Sequence, residues 1–167
     1  MIPEPTALAT FALAGGDFRL RRAVEADVGP IVGMMARDQL RSSVDSDAPE
    51  RRAPYVAAFH AIDADPAHLL CVVDDAAGSV VATMQLTLLP GLARGGASRL
   101  QLEAVRVAGR LRGNGLGTAM MEWAVAEGRR RGAALIQLTS DLSRYDAHRF
   151  YGRLGFAHSH AGFKMVL

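Results

Sequence analysis

The sequence has one cysteine, a net charge of only +2 and no apolar run of membrane-spanning length. Each scarcity closes off a class of function. A lone thiol, Cys71 in the apolar run "HLLCVVD", cannot form an internal disulfide and points to a reducing, cytoplasmic setting. In such a run it is expected to be a buried small hydrophobe, not a nucleophile. The mild charge, carried mainly by arginine, lacks the concentrated basic face of a nucleic-acid binder. Its one basic run, Arg129 to Arg131, falls at a predicted helix end, where cations oppose the dipole favourably. The N-terminal "MIPEPTALATFALAGG" has no basic n-region, so it is expected to be a loosely ordered leader over residues 1–16, not a signal peptide. No nucleic-acid or membrane partner is expected, and a homodimer stays open.

What is present suits one domain, expected over residues 17–167. Half of the 167 residues are hydrophobic, enough for a single substantial core. "DFRLRRA" reads as a strand, and "EADVGPIVGMMARDQL" as a helix with Asp27 as N-cap and Pro30 in its first turn. The polar loop "RSSVDSDAPERRAP" leads to a second helix at "YVAAFHAI". "HLLCVVD" and "SVVATMQLTLL" form a hairpin; "RGGAS" is a flexible connection into the strand "RLQLEAVRV". Leu116, Ala119, Met120 and Trp123 then mark the buried face of a strong helix, closed by Gly132. "ALIQLTS" is a strand covered on both faces, "YDAHRFYGRLG" a last helix, and short strands are expected near "AHSH" and "FKMVL". The order β-α-α-β-β-β-α-β-α-β-β describes a single α/β (α+β) domain with a mixed sheet.

Between a strand and the strong helix lies "RLRGNGLGTAM". A glycine loop feeding a helix N-terminus offers free amides and a positive dipole end to an anion. A nucleotide P-loop needs G-x-x-x-x-G-K-S/T, but no Lys follows any glycine here, and counting from Gly109 the second glycine is replaced by Asn114. A dinucleotide G-x-G-x-x-G begun at Gly113 reaches Thr118 where glycine is required, with no acidic strand end downstream. What remains is Arg112-x-x-Gly115-x-Gly117. About thirty residues on, Ala147, Phe150, Tyr151, Leu154, Gly155 and Phe156 fit the register A-x-x-F-Y-x-x-L-G-F.

With these two motifs in this order of elements, the chain over residues 17–167 resembles the GNAT superfamily of N-acetyltransferases. "QLT", "EAVRV", "SRYDAHRFYGRLGF" and "SHAGFK" look most like a bacterial branch that includes aminoalkylphosphonate N-acetyltransferases. The D-A-H-R-F-Y phrase also occurs in members whose acceptors are unassigned. The resemblance implies a splayed cleft for acetyl-CoA as cosubstrate, with no metal. Backbone groups of Val105 and Val107 would pair with the pantetheine arm. Arg112, Gly113, Asn114, Gly115, Leu116, Gly117 and Thr118 would wrap the pyrophosphate. Two positions depart from the family's pattern: Ala108 stands where many relatives have Pro, and Arg144 where many have Asn. Arg144 is expected to reach toward a cofactor phosphate.

Acetyl transfer to an amine requires that an ammonium ion of pKa about 10.4 lose a proton and that a thiolate gain one. Glu103, flanked by Leu102, Ala104 and Val105, is the candidate base, expected to be partly desolvated and to act directly or through a water. Pairing with Arg99 or Arg106 is its structural alternative. Tyr151, on the inward face of the last helix, is the candidate acid; its alternative is a core tyrosine bonded to a carbonyl. His158 and His160 alternate onto one strand face without companion ligands, so a solvent face or acceptor-pocket lining is expected of them rather than a metal. His60 and His68 carry no constellation. The expected activity is direct acetyl transfer to a primary amine of a small molecule. The alternatives are a non-catalytic acyl-CoA-binding regulatory module and a protein or peptide amine acetyltransferase.

Overall fold

A computed structural model describes residues 6–38 and 44–166. The end of the first expected helix and the start of the polar loop after it fall outside the described residues. Six strands form one sheet in sequence order: β1 (Ala7–Leu13), β2 (Gly16–Arg22), β3 (His68–Asp74), β4 (Val80–Leu89), β5 (Arg99–Val107) and β6 (Leu135–Leu138). Pairing is antiparallel from β1 to β5 and parallel between β5 and β6. The helices are α1 (Val28–Ala36), α2 (Arg52–Ala64), the single turn α3 (Ala93–Gly96), α4 (Leu116–Arg130) and α5 (Tyr145–Arg153). No helix among the described residues is long and apolar enough to cross a membrane.

The continuous apolar run of β3 follows from cover on both faces. Leu69, Cys71 and Val73 point into a core with Leu20, Met84, Leu86, Leu100 and Leu102, capped by Leu116, Met120, Met121 and Ala124 of α4. Leu70 and Val72 point the other way, onto Val28, Ile31 and Val32 of α1 and Phe59 of α2. Cys71 is fully buried, and burial pushes its thiol up to about 12, which makes it inert as a nucleophile. At the end of α4, Arg130 and Arg131 fold back onto the buried Glu127.

Four segments differ from the sequence reading. The expected loose leader instead supplies the edge strand β1, whose Ala9, Phe11 and Leu13 alternate inward onto the core. A tight turn at Ala14–Gly15 folds it back on β2, so the alternation in "ALATFAL" can be satisfied locally. Asp27 does not cap α1. Its carboxylate accepts from Val24 N–H at 2.8 Å and from the buried Arg21 at 2.6 and 2.9 Å, while Asp74 takes the other side of the same guanidinium. A buried charge claims its counter-ions before a helix end does. "RGGAS" forms α3, a kinked turn with Arg94, Gly95 and Gly96 at positive φ. The two expected terminal strands are absent among the described residues, and Phe163, Met165 and Val166 are exposed. Alternation makes a strand only where a ladder partner exists, and these residues add no pairing to β6.

Candidate active site

The sheet opens between β5 and β6. Their parallel pairing runs from Arg99↔Leu135 to Leu102↔Leu138 and stops, while β5 continues to Val107. At the point of parting β5 carries a bulge: Gln85 faces Glu103 and Thr83 faces Arg106, so Ala104 and Val105 together oppose the single residue Met84. Ala104 takes φ 52 to make it. Beyond Leu102 the β6-side backbone groups of β5 have no strand partner among the described residues. An extended, amide-bearing ligand arm could pair there as an added strand.

At the far end of that open edge lies the glycine loop. Gly113 (φ 82) and Gly115 (φ 90) adopt the left-handed region, and Gly115 is the N-cap of α4. Asn114 Oδ1 accepts from Leu116 N–H at 3.1 Å, and Leu116 drops its side chain into the core. The expected contribution of Leu116 to an anion is therefore taken up locally. Ala119 N–H opens the helical ladder on Gly115 C=O, leaving the amides of Gly117 and Thr118 as open first-turn donors. Among the described residues, the buried Asn114 Nδ2 has no hydrogen-bond partner, and Arg112 is exposed beside it in the chain. Arg110 is spent on Asp75 at 2.8 Å. These donors fit a pyrophosphate: an orphaned amide nitrogen, two open amides and an exposed cation at one helix end.

Glu103 is exposed, so the desolvation expected of it is absent, and among the described residues it forms no ion pair with Arg99 or Arg106. Tyr151 is half-buried, edge-on to Phe150 and Phe156 at 5.2 and 5.8 Å between ring centres. Burial pushes its hydroxyl above the ordinary phenol value, and the guanidiniums of Arg144 and Arg106 pull it partly back. Both cations therefore lie close enough to act on Tyr151.

They are also tied together. Asp38, past the end of α1, accepts from Arg144 Nη2 at 2.7 and 2.6 Å and from Arg106 Nη2 at 3.2 Å. Arg106 stands on the part of β5 that runs beyond its pairing with β6, and Arg144 on the segment between β6 and α5, so the carboxylate bridges the two edges of the split. Arg144, expected at a cofactor phosphate, is instead held by Asp38. Asp38 did not stand out in the sequence, and Arg106 did so only as an alternative partner for Glu103, since 68 and 106 residues separate Asp38 from its two partners.

The histidines assemble no centre. His158 stacks at a tilt on His148, His160 bonds Ser159, and His68 bonds Thr87. Among the described residues, no group of three or more His, Cys, Asp or Glu side chains is placed to hold a metal ion.

A family model described as "Acetyltransferase (GNAT) family" matches residues 35–156. An aminoalkylphosphonate N-acetyltransferase of Salmonella typhimurium is 42% identical over 57 residues, a stretch covering 34% of this chain and 37% of that protein. A crystal structure of a transcriptional regulator from Bacillus halodurans superposes with a TM-score of 0.86 at 37% identity, covering 90% of this chain and 99% of that one. A crystal structure of a predicted acetyltransferase with acetyl-CoA, from Clostridium acetobutylicum, shares the fold at a TM-score of 0.68 and 16% identity, over 89% of this chain and 96% of that one.

Proposed function

The chain belongs to the GNAT family of acetyltransferases, and from that premise we propose that it transfers the acetyl group of acetyl-CoA directly to a primary amine of a small molecule. The observation that carries this reading is the open edge of β5 running into the glycine loop, a track for an amide-bearing arm that ends at an anion site. Backbone groups of Val105 and Val107 hold the arm. Arg112, Gly113, Asn114, Gly115, Gly117 and Thr118 surround the pyrophosphate.

Acetyl-CoA supplies an activated acetyl group with a thiolate as leaving group. Tyr151 holds a proton for that thiolate: its raised pKa keeps the hydroxyl protonated through the neutral range, and its ring is fixed between Phe150 and Phe156. Glu103 takes the proton of the acceptor ammonium. Being exposed, it works through a water rather than as a desolvated base.

The test offers acetyl-CoA with a panel of aminoalkylphosphonates, polyamines, amino acids and peptides, and follows free thiol. Thiol release with a small amine supports the reading. Tight acetyl-CoA binding without turnover of any amine would overturn it in favour of a regulatory acyl-CoA-binding module. That second reading draws support from the name of the Bacillus halodurans relative. The presence of both Glu103 and Tyr151 favours the enzyme.

A further inference from the structure

Asn114 Nδ2, at the glycine-loop end of the proposed cosubstrate track, is a buried polar group without a partner among the described residues. Ser140 Oγ is another, and it lies toward the opposite end of the same track. A buried hydroxyl left without a hydrogen bond costs the fold free energy, and such groups are rare enough in folded proteins to ask for a function.

The register of the sheet places Ser140. Parallel pairing ends at Leu102↔Leu138. Carried two residues further, the same register would set Ser140 opposite Ala104, the residue at φ 52 whose bulge opens the sheet. The alternation of β6 also continues past its last pair. Leu138, like Val105 and Tyr151, packs against the core; Thr139 is exposed, and Ser140 turns its Oγ inward again. Ser140 therefore stands at the vertex of the split, on the face that carries Val105 and Tyr151.

The direction of the track decides which part of the cosubstrate reaches that vertex. The glycine loop follows Val107, so a pyrophosphate seated there sends the arm back along β5 toward Val105 and the thioester to the vertex. A thioester offers a hydroxyl two acceptors. Sulfur is the weak one, and Tyr151 serves it in the acetyl-transfer reading. The carbonyl oxygen is the strong one and gains negative charge as the amine attacks, and neither Tyr151 nor Glu103 serves it in that reading.

We infer that Ser140 is a catalytic residue whose hydroxyl donates a hydrogen bond to the acetyl carbonyl oxygen of the cosubstrate. The inference rests on the acetyl-transfer reading above. Ser140 keeps its proton and forms no covalent bond. The amine nitrogen bonds the carbonyl carbon, the charge rests on the oxygen beside Ser140, and it returns to the carbonyl as the carbon–sulfur bond breaks. A buried donor acts where water competes little for that oxygen.

The experiment binds acetyl-CoA, isotopically labelled at the acetyl carbonyl carbon, to the full chain and to Ser140→Ala, and reads the carbonyl stretch by infrared difference spectroscopy. The stretch should move to higher frequency in Ser140→Ala, because the oxygen has lost a donor. With an amine that is turned over, kcat should fall by about 10²-fold. Ser140→Thr, which keeps the hydroxyl, should recover most of both. Free CoA has no acetyl group, so its affinity should be the same for Ser140→Ala and the parent. The unliganded variant should melt no lower than the parent, since an unpaired buried hydroxyl has been removed. An unchanged carbonyl stretch would overturn the inference. So would a loss of CoA affinity in Ser140→Ala, which would make Ser140 a holder of the arm. If acetyl-CoA binds and no amine yields thiol, acetyl transfer fails as the activity, and the carbonyl stretch still decides whether Ser140 meets the thioester. If acetyl-CoA does not bind, both readings fall.

Discussion

A side chain at Gly117 would begin 3.5 Å from Cζ of Phe150 and 3.9 Å from Cγ2 of Val107. That contact joins the glycine loop, the open edge of β5 and the last helix at one point. Gly117→Ala meets its neighbours at ordinary van der Waals distance and should change the acetyl-CoA KM by less than about threefold. Gly117→Leu must displace Phe150 and cover the first-turn amides, so the acetyl-CoA KM should rise about tenfold or more. Steady-state kinetics with acetyl-CoA as the varied substrate checks both. A leucine without effect would show that the loop does not seat the cosubstrate.

As the proposed proton donor, Tyr151 is expected to set the alkaline side of the pH profile. Burial holds its hydroxyl above 10.0, so kcat should stay level until the pH exceeds that value and then fall as the phenol ionises. Tyr151→Phe should lose about 10²-fold in kcat and lose this limb as well. Stability carries the same sign. Where the unfolded chain has released the proton the native one retains it, so the contribution is complete below the unfolded pKa and disappears as pH rises through the folded one. An alkaline limb that survives in Tyr151→Phe would remove Tyr151 from the proton transfer.

Glu127 sets an acid-side dependence. Bonds from Arg130 and Arg131 hold its carboxyl below the ordinary 4.5 despite burial. The stabilisation is therefore present above the unfolded carboxyl's pKa and is lost as pH falls through the lower folded value. Glu127→Gln should cost about 1–2 kcal/mol at neutral pH in urea denaturation. The gap to the parent should close as the pH drops below 4.5.

Arg21 is buried between Asp27 and Asp74, with contacts of 2.6 Å to each. Arg21→Ala leaves two carboxylates buried without their cation and should cost about 3–5 kcal/mol. Arg21→Lys keeps the charge but cannot span both acids, so its loss should be intermediate. Chemical denaturation of the two variants tests the order.

Much of the fold is legible because its signals are local. The period of α4, the apolar run of β3 and the glycines at 113 and 115 each declare a conformation from a few neighbouring residues. The strand in "ALATFAL" carried such a signal too, in its alternation onto Phe11 and Leu13. The split in the sheet was legible only through family resemblance. The pairing of the charges across it was not legible, because Asp38, Arg106 and Arg144 become neighbours only through the topology. Asp27 shows the same limit: its residue type suits a helix cap, but a buried arginine from β2 claimed it. The strands expected after residue 156 had a pattern without a partner. Exposure of Glu103 likewise depends on where β6 stops, which its flanking residues do not encode.

Ala104 holds a backbone conformation that glycine adopts freely and alanine resists. The resting fold thereby stores on the order of 1–2 kcal/mol of backbone strain at the hinge of the cleft. A thermostability screen would select Ala104→Gly, since the substitution releases that strain. The same change would leave the bulge in place, because glycine favours the backbone conformation that the bulge requires. Robustness and aperture are thus aligned at one methyl group: removing it eases the backbone in the conformation that keeps the sheet open.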